Sequence, residues 1–171
     1  MPGPLLLATL LMTLSFVLFL FLAHLGIGIV FTLALVDKTA GVQFFRFNAG
    51  FAAVLLLTAL ALRPDAVAFG LDLQGLALLS VVTATGAILI YWATIGRVLA
   101  RIRPFLLWLA VLSGSTALVA QAVTAAASGG VLVTVLAVAS FISSAALLGG
   151  TSTAMILGHW YLVLPSMEVS L

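Results

Sequence analysis

His24 and His159 are the side chains of widest chemical reach in this sequence, and each lies inside an apolar stretch of hydrocarbon length. An ionisable group in such a stretch is costly and marks a candidate functional site. Imidazole is an axial ligand of b-type haem, so His24 and His159 are candidate haem or quinone contacts. Gly28 and Thr32 follow His24 at one-turn intervals on the same helical face, and Gly158 directly precedes His159. Small residues beside each ring leave room for something broad. One haem held by both rings demands that they lie level. His24 sits about 12 residues from the inner end of its run and His159 about 5, a mismatch near 10 Å at ~1.5 Å per residue. The competing expectation is that each histidine simply hydrogen-bonds a helix neighbour or a carbonyl.

Other chemistries lack their residues. There is no cysteine, so no disulfide, thiolate nucleophile or iron–sulfur ligation. Asp37, Asp65, Asp72 and Glu168 all fall at boundaries or in the tail, away from the histidines, which leaves no metal-ligand cluster and no carboxylate relay. Serines and threonines are plentiful, but in apolar helices they bond back to a carbonyl rather than act as nucleophiles. No phosphate-binding glycine loop is present.

A second set of residues suits a headgroup boundary. Arg97, Arg101 and Arg103 form the most basic stretch, just before Pro104. Arg46 stands among Phe44, Phe45 and Phe47, and Trp160 and Tyr161 close the last apolar run. Cations bind anionic headgroups and aromatic rings sit at the membrane–water interface. Arg46, Arg97, Arg101, Arg103, Trp160 and Tyr161 are therefore the candidate lipid-binding residues.

The elements that must position these groups follow from composition. The chain is 65% hydrophobic and 6% charged, with a mean hydropathy of +1.42, whereas soluble domains carry roughly 25% charged residues. Its 171 residues make about five spans of roughly 20 apolar residues and no separate soluble domain. The fold class expected is all-α: an integral membrane bundle of five transmembrane helices in one domain. The helices fall near residues 5–36, 47–62, 73–95, 105–127 and 131–164. The first run lacks the basic flank and is twice the length of a signal peptide's core, so it reads as a retained span. Pro64 ends the second helix, and Ser128-Gly129-Gly130 precedes the fifth. On the fourth, Ser113, Ala117 and Gln121 share a face, where Gln121 is placed to hydrogen-bond across a helix contact. The first and last helices are overlong, and the last is expected to bend at Gly149-Gly150. No internal repeat points to an inverted-repeat transporter.

A small bundle without its own catalytic constellation fits a mainly structural, multi-pass membrane subunit of a larger complex, respiratory or photosynthetic electron transfer included, contacting haem b, quinone or lipid. The alternative is a small solute transporter or channel, although Gln43, Asn48, Gln74 and Gln121 are too scattered to trace a polar lumen. The expected partners are the lipid bilayer and other membrane-protein subunits, with no nucleic acid. Five spans place Lys38, Arg46, Arg97, Arg101 and Arg103 on one side and Arg63 on the other. The positive-inside rule then puts the N-terminus outside and the C-terminus in the cytoplasm of a bacterial-type plasma membrane. In labelling experiments, cysteines introduced near Asp65 and Ser128 should react with an impermeant reagent from outside, and one near Ile102 should not; the reverse pattern overturns this orientation.

Overall fold

The computed structural model describes residues 4–64, 69–96 and 100–163, with side chains described between residues 13 and 160. Its long elements are α1 (Pro4–Leu35), α2 (Val42–Ala61), α3 (Leu73–Thr94), α4 (Arg103–Ala125) and α5 (Val131–Val163). Five helices are long and apolar enough to cross a membrane. No strand occurs among the described residues.

Short polar caps end the apolar runs. Asp37 accepts the Thr39 N–H at 2.8 Å, which starts a 3-10 turn over Lys38–Ala40. That hydrogen bond holds the Asp37 carboxyl below the usual carboxylate range. Gly41, at φ 88°, then turns the chain into α2, a conformation that costs glycine little. Asp72 caps α3 by accepting the Gly75 N–H at 2.9 Å. Pro104 sits in the first turn of α4, where its missing N–H costs no hydrogen bond.

The second helix begins five residues earlier than expected. The segment from Val42 to Asn48, read as a boundary loop, is the first part of α2. Phe44 and Phe45 are 1% and 9% exposed and belong to the core, while Arg46 and Phe47 face outward. Helical spacing explains the split, since 44, 45, 48 and 52 fall on one stripe. A rim of aromatics was expected around Arg46, and two of its three phenylalanines are core.

Successive helices pack antiparallel. Gly26 of α1 lies under Leu56 of α2, and Gly50 of α2 lies under the Trp92 indole of α3. α1 also packs on α4, so α1 to α4 close a ring, and α5 lies outside it against α1 and α4. α1 is the hub: every residue from 26 to 30 is buried. Small residues permit this closeness, for packing in hydrocarbon depends on approach of backbones more than on apolar driving force. Gly114 of α4 faces Ile27 in this way.

The closest approach is between α1 and α5. A Cβ on Gly28 would strike the Ala145 carbonyl and come within 2.9 Å of the Gly149 nitrogen, and one on Gly149 would strike the Gly28 backbone. The helix continues through Gly149-Gly150 without a break to Val163, so residues 151–163 are not a separate piece. The pair had suggested a bend, yet only its first member is pinned. Gly150 has nothing nearer than the Thr32 methyl at 3.9 Å. Gly28→Ala and Gly149→Ala should each destabilise by about 1–3 kcal/mol through overpacking. Gly150→Ala should be near neutral or mildly stabilising. Thermal unfolding of the three variants in one detergent checks this, and equal loss at all three sites would remove the seam as its cause.

Candidate functional site

The α1–α5 seam is built from two four-residue registers. On α1 they are His24, Gly28 and Thr32; on α5 they are Phe141, Ala145, Gly149 and Thr153. Three levels match. The His24 ring meets Phe141 edge-on at 4.9 Å between centroids. Gly28 meets the backbone of Ala145 and Gly149. The Thr32 and Thr153 hydroxyls lie 2.8 Å apart. Both registers rise together, so the helices run parallel. Thr32 donates to the Ile29 carbonyl at 2.8 Å, which leaves Thr153 as donor in the bond between them.

His24 is 5% exposed. Its Nδ1 lies 2.7 Å from the Leu20 carbonyl. A carbonyl only accepts, so Nδ1 carries a proton. The room expected beside Gly28 is filled by α5, because the glycine serves the helix contact rather than a ligand.

His159 lies far from it. It stands about 18 residues beyond Phe141 along α5, roughly 27 Å at ~1.5 Å per residue. That is well over the 10 Å expected from the sequence, because Phe141, and not the run ends, sets the level of His24. The two rings are not brought together within one chain. His159 is exposed, and Gly158 beside it has open space.

Several of the candidate lipid contacts do converge. Lys38, Arg46, Arg101 and Arg103 lie at the bundle end where α2 and α4 start and α1 and α3 finish. Arg63 is at the opposite end, its guanidinium 5.7 Å from the Phe69 ring centroid. Arg46, Trp92 and Trp160 line an open groove of about 610 Å³, floored by Gly50, Phe51 and Val54. The Arg46 guanidinium is 6.0 Å from the Trp92 ring centroid, at the outer range of a cation–π contact. An acyl chain along the floor would put an anionic headgroup beside Arg46. Arg103 is used structurally: it donates to the Thr94 carbonyl at 2.6 Å, tying the end of α3 to the start of α4. Arg101 is exposed. Arg97 and the Tyr161 side chain lie outside the described residues.

Hydroxyls behave as apolar helices require. Thr58, Thr83, Thr85, Ser115 and Thr116 each donate to the carbonyl one turn earlier. Two amides are less well satisfied. Asn48 is 0% exposed and donates to Phe44 O at 3.0 Å, but its Oδ1 has no partner among the described residues. Gln121, expected to bond across a helix contact, instead has both Nε2 and Oε1 buried and unpartnered. Sequence reading missed the part played by α5 in the seam, though the spacing 141, 145, 149, 153 was there to be found. It also missed Gly50, whose position under Trp92 has no sequence signature.

Among known proteins, no family model, curated protein or solved structure matches the chain. Among the described residues no group of three or more metal-ligating side chains occurs.

Arg46→Gln should weaken retention of an anionic phospholipid about fivefold, from ~1 kcal/mol per basic residue near a charged surface. Native mass spectrometry with phosphatidylglycerol against phosphatidylcholine reads this directly. Equal loss of both lipids would mean that the groove had collapsed rather than lost a charge contact.

Proposed function

We infer that this chain is a multi-pass, mainly structural subunit of a larger membrane assembly, with α5 as the element that meets its neighbours. The observation that carries the reading is the uneven burial of the spans. Only 6% of α5's most apolar window is buried, against 44–50% in the other four. Ser140, Ser143, Thr151 and His159 all stand at exposed α5 positions. Lipid is an adequate solvent for leucine and valine but a poor one for imidazole, and ionisable groups within spans generally face protein or a water-filled cavity. Neighbouring helices laid along α5 would cover them.

In this reading His159, rather than His24, is the candidate contact for a haem b or quinone held with another subunit. His24 stiffens the α1–α5 seam. The basic bundle end faces the cytoplasm of a bacterial-type plasma membrane, with Arg46 and Trp160 holding an anionic lipid. An electron-transfer complex is one setting for such a subunit. The transporter alternative draws less support, since the back-bonded hydroxyls of the interior offer a solute few free hydrogen-bonding groups.

Mass measurement in a mild detergent tests the proposal. The wild-type chain should run as a defined complex, and Ser143→Phe with Ala154→Phe, both at exposed positions of α5, should release it as a folded monomer. A homogeneous wild-type monomer that carries a solute across reconstituted vesicles would establish the transporter instead.

A further inference from the structure

A cavity of about 300 Å³ lies at the opposite end of the bundle from the basic groove, where α1, α3, α4 and α5 come together. Phe16, Phe19, Phe141 and Leu78 supply apolar walls, and Gln74 and Gln121 are its amides. Among the described residues no ionisable side chain lines it. This volume is at the lower end of the range for small-molecule sites.

Gln121 decides what belongs there. Its amide nitrogen and amide oxygen are both shielded from solvent, and neither has a hydrogen-bond partner among the described residues. A buried polar group left unpaired costs about 1–3 kcal/mol, and here a donor and an acceptor are unpaired on one side chain. A bridging water could satisfy the amide but would leave the phenylalanine walls without an apolar partner. The Thr124 hydroxyl at the cavity already donates to the Ala120 carbonyl at 2.8 Å. What fits is a molecule with an apolar body for the phenylalanines and one atom that both donates and accepts. A hydroxyl meets this need: its O–H donates to Oε1 and its oxygen accepts from Nε2. A charged head would be left uncompensated.

We propose that this cavity binds a neutral, lipid-soluble molecule through a hydroxyl head hydrogen-bonded to Gln121. The site is independent of the assembly reading, since it lies within one chain and uses no exposed α5 position. The hydroxyl has two natural sources in a membrane, a quinol and a long-chain alcohol or acylglycerol.

The test measures retention of radiolabelled 1-dodecanol, decylubiquinol and dodecane by the purified full chain in micelles, corrected for empty micelles. Dodecanol should bind about tenfold more tightly than dodecane. Gln121→Leu should abolish that preference while raising the unfolding temperature of the ligand-free protein, since it removes an unpaired amide. Ala125→Phe, which fills the cavity from its edge, should lower binding of all three and leaves Gln121 in place as a check on folding. Tighter binding of decylubiquinol than dodecanol assigns the site to quinols, and equal binding assigns it to lipid alcohols. Equal binding of dodecanol and dodecane by the wild type overturns the proposal. A preference that survives Gln121→Leu also overturns it, as does a loss of stability in that variant, which would mean the amide already has a partner.

Discussion

The contact of Gly28 with Gly149 fixes what the rest of this structure can be. Two helix backbones touch there with no side chain between them, so α1 and α5 lie too close for a side chain at either glycine. Once that distance is set, a flat ring at the level above and two small hydroxyls at the level below can span the gap, and His24–Phe141 and Thr32–Thr153 do so. A larger residue at the middle level would open both neighbours. Apolar contacts alone do not choose such a register in hydrocarbon, where lipid tails pack against leucine as well as another leucine does. Glycine placement supplies the choice.

The same scarcity of water governs the polar groups. Nearly every described hydroxyl of the bundle interior returns to its own helix, so the threonines and serines are self-contained and place no demand on their neighbours. Histidine solves the problem similarly at His24, through the Leu20 carbonyl. Glutamine cannot do so completely, because its amide presents opposed functions at the end of a long stem. Gln121, together with the Asn48 Oδ1, is thus where the described interior is left open.

Much of the architecture was legible from composition and run length. Five apolar segments, their breaks at Asp37, Pro64, Asp72 and the Ser128-Gly129-Gly130 turn, and the shared face of His24, Gly28 and Thr32 all follow from helical period and span length. The start of α2 was not legible. Three phenylalanines around an arginine look alike whether they anchor a loop or begin a helix, and only the stripe continuing through Asn48 and Ala52 assigns Phe44 and Phe45 to the core. The level of His159 was misjudged for a related reason. Counting from run ends assumes that helices start together, while the seam sets their offset by pairing residue 24 with residue 141. The unpartnered state of Gln121 depends on side chains from several helices at once, and no local pattern encodes it.

The seam joins the first helix of the chain to the last, and its Thr32–Thr153 bond spans 121 residues of sequence. During synthesis α1 emerges well before its matching stripe on α5. For most of that interval the groove over Gly28 lacks its own cover while α2, α3 and α4 settle around the other side of α1. Contacts so distant in sequence form late and slowly because the closure of a long loop precedes any reward. α5 is thus placed to close over α1 after α2, α3 and α4 have packed, and the backbone groove at Gly28 stays bare until it does.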